Sequence, residues 1–185
     1  DVTQHVVEGN LEAAEAAAGN LDSEYGNSSY AAQSKLAMAR LYMDKNRDQD
    51  AAQALNDLLA MSGYDNLKHV ARVRLAKVLL YQGKPEEVLS LLEGQANAAF
   101  AARYAEELGD AHAALGRYDE ARASYQAALG EALKYAEATG CKLLHAMPGL
   151  RHHGANWPTY IANLKKGAAM AADRVDLVDE DDAGR

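Results

Sequence analysis

The chain has 185 residues, a formal net charge of −8, 49% hydrophobic residues and only 6% aromatics. Its 39 Ala, against 13 Val, Ile and Thr together, point to helix and exclude a large sheet. The single Cys141 excludes an internal disulfide and a multi-cysteine zinc centre. The acidic balance argues against nucleic acid, whose phosphates call for clustered Lys and Arg.

In chain order, Asp1–Glu8 has room for one short helix, and GNLEAAEAAA, Gly9 to Ala18, reads as a turn followed by a second helix. Three stretches then share one layout, in which an apolar-periodic helix and a tight turn lead into a second Ala/Leu-rich helix. They run Tyr30–Leu59, Leu67–Glu93 and Phe100–Leu129. Their turn residues Asn46, Gly83 and Gly116 are 37 and 33 residues apart, and the residues that open the second helices, Ala51, Val88 and Ala121, keep the same spacings.

A period near 34 residues with helix–turn–helix units is the signature of tetratricopeptide repeats. The third unit matches best, with Leu108-Gly109 at the helix crossing followed by Gly116, Tyr118, Ala121, Tyr125 and Ala128. Small residues at Gly109 and Ala121 let paired helices approach, with Leu108 and Tyr125 filling the space beside them. Gly116 suits a turn with positive φ, Asn46 tolerates the same conformation, and Pro85 falls in the first turn of its helix, where a missing N–H is harmless. Three stacked units are about the minimum for a stable array, since each buries its apolar face against a neighbour. The fold class expected is an all-α, tetratricopeptide-like helix–turn–helix solenoid.

In such an array the first helix of each unit lines the partner-binding groove. The frame assigns Gln33, Arg40 and Asp44 from the first unit, Lys77 and Tyr81 from the second, and Arg103, Glu106 and Asp110 from the third. Their signs are mixed, so a clamp for a peptide's terminal carboxylate, which needs convergent cations, is disfavoured. A shallow polar groove for an extended chain or partner helix is the alternative to a merely solvated face, with Tyr81 and also Tyr42 or Tyr104 as anchors.

No nucleophile elbow, phosphate loop, dinucleotide fingerprint or zinc-protease motif appears, so no catalytic residue, cofactor or metal is assigned and the chain reads as a non-enzyme. Cys141 and His145 are four apart, near His152 and His153. Gly140, Pro148, Gly149 and Gly154 interrupt any helix that would bring them together, and loop histidines beside a buried thiol are the plainer reading.

Residues from about 25 to 129 resemble the periplasmic domain of YfgM-type ancillary subunits of the SecYEG translocon. The stretches YAAQSKLAMARLYMDKNRDQDAAQAL, DNLKHVARVRLAKVLLYQGK and FAARYAEELGDAHAALGRYDEARASYQAAL carry the resemblance, with Asp65-Asn66-Leu67-Lys68 and Leu75-Ala76. It implies a periplasmic interaction domain on an inner-membrane protein, with the Sec translocon and periplasmic chaperones as partners and the membrane anchor upstream of Asp1.

Residues from about 129 to 178 resemble instead a short piece of a hydroxypyruvate isomerase-type barrel, carried by LGEALKYAEATGCKLLHAMPGL and TYIANLKKGAAMAADRVDLV. The piece is far short of the roughly 250 residues of such a barrel, and the Glu-Pro strand expected after the second stretch is absent. A fragment of such an isomerase, without activity, is the second functional reading, and a homo-oligomerising scaffold is the third.

The domains expected are 1–130 for the repeats, 131–172 for an extension whose helix Thr159–Ala172 caps the last repeat, and an acidic tail at 173–185. A lone strand at Cys141–Leu150 has no partner, so loop or helix end is expected there. The tail holds six acids and two Arg, half of the net charge, and reads as a frayed terminus.

Overall fold

A computed structural model describes residues 1–140. Among the described residues there are eight α-helices and one short 3-10 helix, and no strand. They are α1 (Val2–Val7), α2 (Leu11–Tyr25), α3 (Ser29–Asp44), α4 (Asp48–Ala60), α5 (Asp65–Tyr81), α6 (Pro85–Leu92), α7 (Ala101–Ala114) and α8 (Tyr118–Thr139), with the 3-10 turn at Ala98–Phe100. The all-α repeat fold expected from the sequence is the fold observed. The expectations for the Cys141–Leu150 stretch, the histidines beyond it, the Thr159–Ala172 helix and the acidic tail lie outside the described residues.

Four turns set the repeat. At Gly9, Asn46, Gly83 and Gly116 φ is +67°, +57°, +71° and +72°. In each turn the N–H of the next residue reaches back five positions: Asn10 to His5 O (2.9 Å), Arg47 to Tyr42 O (2.8 Å), Lys84 to Leu79 O (2.9 Å) and Arg117 to His112 O (2.9 Å). This is the closure in which a left-handed residue ends one helix and satisfies its last carbonyls. Asn46 is the one non-glycine among the four turns, as its short polar side chain allows. The turn at Gly9 shows that α1 and α2 form a full fourth pair, with Val2 buried at 7% exposure.

Helix starts are stabilised in more than one way, and α5, which follows Tyr64, has no side-chain cap. The chain start and the links into α2 and α3 use side-chain caps: Asp1 accepts from Thr3 N (3.0 Å), Asn10 from Ala13 N (3.2 Å) and Ser28 from Ala31 N (3.1 Å). The second helices α4 and α6 have no such cap. They carry Asp48 and Asp50, or Pro85, Glu86 and Glu87, in their first turns instead, where the helix dipole favours negative charge and a missing N–H is tolerated.

Contacts divide the described residues into two compact units, one of Asp1–Ala96 with Glu107–Ala121, the other of Asn97–Glu106 with the described residues after Ala121. In the first unit, each of the helices α1 to α5 packs on its successor, and α3 also touches both α1 and α5. First helices are therefore neighbours of one another. The residues that open the second helices, Ala14, Ala51, Val88 and Ala121, are all buried, as are the crossing residues Ala39 and Ala76. Leu41, Leu55, Leu58 and Leu92 fill the space between helices. Burying one such side chain contributes roughly 1.5–3 kcal/mol.

In the second unit, Phe100 and Tyr104 meet as tilted rings with centroids 6.1 Å apart. Tyr104, Leu133 and Ala136 are buried there. Tyr125, expected to fill space at the helix crossing, is 40% exposed, while Leu108 and Ala128 are half-buried. α8 runs on through Gly130 to Thr139, ten residues beyond the last repeat residue read from the sequence, because nothing from Leu129 to Thr139 other than that glycine opposes helix.

Candidate partner-binding surface

Aligned on the four turns, the first helices place a stripe of five residues in register. It reads Tyr30, Gln33, Ala37, Arg40 and Asp44 on α3, then Leu67, Val70, Arg74, Lys77 and Tyr81 on α5. The step of three or four residues keeps each set on one helix face. Gln33, Arg40, Asp44, Lys77 and Tyr81 are exposed on these helices, and Asp110 is exposed on α7. Arg103 and Glu106 belong to the second unit.

The charges on this stripe are largely satisfied by one another. Arg40 lies 3.9 Å from Asp44 along α3. Lys77 Nζ on α5 lies 3.2 Å from Oε1 of Glu107, whose side chain is only 1% exposed. Arg74 reaches from α5 to donate to the Leu36 carbonyl on α3 at 3.0 Å. In the second unit Arg103 donates to Glu106 at 3.0 Å. Cations on α5 thus act as struts to the first helices on either side. Arg74 and Glu107 were missed in the sequence reading, although both stand nine residues before their turn glycines, Gly83 and Gly116, on the stripe that holds Lys77.

Large side chains left in solvent mark the ends of the stripe, with Tyr81 67% exposed and Tyr30 72% exposed. Tyr30 and Gln33 also line an open cleft of about 330 Å³ with Ser34, Val2 and Leu21. Tyr104 and Tyr42, the other tyrosines expected as anchors, do not stand open on this face. Tyr104 is buried at 3% exposure. Tyr42 is half-buried, donates its hydroxyl to Glu15 at 3.1 Å and lies under the Arg47 guanidinium, 4.8 Å from ring centre to Cζ.

That second tyrosine belongs to a clasp between adjacent helix pairs. Arg47 binds Glu15 on α2 at 2.7 Å and Asp50 on α4 at 2.6 Å. Burial and the hydrogen bond to Glu15 push the Tyr42 hydroxyl up to about 12, because a phenolate there would face a carboxylate in a poorly solvated site. One pair further along, Gln82 at the end of α5 donates to Asp48 at the start of α4 at 2.8 Å. These contacts fix register between pairs rather than present chemistry.

Among the described residues, no three His, Cys, Asp or Glu side chains are arranged to hold a metal. No described helix is long and apolar enough to cross a membrane.

The sequence pattern of one known family, described as a tetratricopeptide repeat-like domain, matches residues 1–145. No curated protein matches the chain. The chain belongs to the tetratricopeptide repeat-like domain family.

Proposed function

We propose that this tetratricopeptide repeat-like chain is a non-enzymatic protein–protein interaction module that receives an extended polypeptide or partner helix on the first-helix face of its first unit. Membership of a family whose repeats commonly bind protein partners supports the general reading. The observation that carries the surface assignment is the stripe itself. Tyr30 and Tyr81 stand exposed at its ends, while Arg40, Arg74 and Lys77 already have internal partners. Such a face offers aromatic anchors beside cations that already have partners, which suits modest affinity for varied segments. Gln33, Arg40, Asp44, Lys77, Tyr81 and Asp110 make up the proposed contact set, and Arg103 and Glu106 extend it as a proposal of their own in the second unit.

The finer identity is a translocon-associated, chaperone-linked membrane protein acting on the periplasmic side of the bacterial inner membrane. It rests on the resemblance to YfgM-type subunits. The repeat boundary near residue 130 is proposed on the same footing.

A photo-crosslinking residue at position 81, with position 40 as a second probe, tests both levels in cells. Recovery of Sec components or periplasmic chaperones is expected. Capture of other polypeptides at these positions would retain the binding face and remove the translocon assignment. Capture from position 53 on α4 but not from 81 or 40 would remove the face itself.

A further inference from the structure

The opposite face of the first unit differs in charge. The second helices α2, α4 and α6 carry nine Asp and Glu and no Lys, Arg or His. The first helices α1, α3 and α5 carry six Lys and Arg against two Asp. Within the acidic set, α4 and α6 both rest on α5 and leave an open cleft of about 450 Å³. Leu75 and Leu79 of α5 floor it, Leu91 of α6 forms a wall, and Glu86, Glu87, Asn56 and Ser90 stand around it.

The chemistry of an occupant follows from that lining. An anionic segment meets Glu86 and Glu87 with no cation on α4 or α6. A wholly apolar segment strips water from Glu86 and Glu87 without offering counter-charge, which is unfavourable. The nearby Lys84 lies 3.7 Å from Glu87, but both side chains are about half exposed, and such pairs contribute little. The first turn of α6 favours Glu86 and Glu87 on its own account, and Leu75 and Leu79 are core residues 3% and 6% exposed, so half-buried Leu91 is the main apolar surface the cleft presents. Aliphatic side chains at i, i+3 or i+4, flanked by Lys or Arg, meet both requirements.

We propose that the α4–α6 cleft docks a basic amphipathic helix of a partner protein, its aliphatic side chains over Leu75, Leu79 and Leu91 and its cations over Glu86 and Glu87. This surface is separate from the first-helix face and does not depend on the function proposed for that face.

The test uses the full chain with two helical peptides as probes, one of leucine and lysine in amphipathic spacing and its leucine–glutamate counterpart. Binding is followed by fluorescence anisotropy and by leucine methyl NMR shifts. The lysine peptide is expected to bind and to shift Leu75, Leu79 and Leu91, while the glutamate peptide does neither. Glu86→Gln with Glu87→Gln should weaken binding about tenfold, as loss of rim charge does at complementary interfaces. Glu12→Gln with Glu24→Gln on α2 changes net charge equally and should leave affinity unchanged, as should Tyr81→Ala. Circular dichroism confirms that each variant is folded, and Ser90→Trp, which fills the cleft without touching a charge, should also block binding. Equal weakening by the two acid pairs, no preference between the peptides, or shifts confined to α3 and the exposed edge of α5 would overturn the proposal.

Discussion

The first and second helices of the leading unit obey one packing rule and show two different surfaces. Their inward positions are interchangeable in kind, with Ala39 and Ala76 on one set matched by Ala14, Ala51 and Val88 on the other, all buried. Outside, the first-helix face holds cations that bridge to neighbouring helices, while the second-helix face holds acids without a single base. The lesson is that burial fixes the repeat and leaves surface charge free to diverge. Some second-helix acids also serve packing, with Glu15 and Asp50 held by Arg47 and Asp22 by Lys35, while Glu86 and Glu87 of α6 stay exposed, where their charge acts on approaching partners.

The comparison can be broken or sharpened by substitution. The largest effect should come from the layer that both faces share. Leu55→Ala on α4 removes a side chain 1% exposed and should lower unfolding free energy by about 3 kcal/mol, read from urea denaturation. Next comes the strut. Lys77→Ala removes a cation 3.2 Å from the buried Glu107 carboxylate, but Lys77 is itself 58% exposed. We expect a loss of about 2 kcal/mol, between the ranges for buried and surface pairs, and recovery of most of it in Lys77→Ala with Glu107→Leu. A double-variant loss equal to the sum of the singles would show that no strut exists.

A smaller change is expected at the Asn46 turn. Asn46→Ala forces an alanine to φ +57° and should cost about 1 kcal/mol, whereas Asn46→Gly should be neutral or stabilising. Thermal melts of the two variants side by side decide this. The last effect is confined to high pH. Because the folded Tyr42 hydroxyl sits near 12 and an unfolded tyrosine near 10, the neutral form is favoured by folding. The contribution is whole below about pH 10 and disappears as pH rises toward 12. Phenolate absorbance should show a late-titrating component that Tyr42→Phe removes, and a titration curve unchanged at high pH by that substitution would disprove the clasp.

Much of the fold could be read before any coordinates. Gly83, Gly116 and the recurring small residues report backbone conformation and close approach, which depend on residue type alone, so the turns and helix pairs fell into place. The first pair was half visible, since six helical residues give too few turns for a periodicity. The surface was harder. Tyr81, Tyr42 and Tyr104 are the same residue on the same class of helix, and their neighbours, Glu15 and Arg47 for Tyr42 and Phe100 for Tyr104, go with burial where Tyr81 stays exposed. Arg74 and Glu107 act across helices, so their roles follow from a distance no single repeat contains. The charge contrast lay in the sequence throughout, but appears only after each helix is assigned to its face.

The pairing of helices with their sequence neighbours also bears on how the chain comes to be folded. From α1 to α5, each helix packs on its successor, and among the described helices α1 to α6 no pair in close contact is separated by more than one other. Such connectivity means low contact order, short loops to close and rapid folding, on the microsecond-to-millisecond scale typical of helical domains. It also permits assembly in the order of synthesis. Each pair can dock on the one before it as the chain lengthens, so that little apolar surface waits uncovered for a distant segment to arrive.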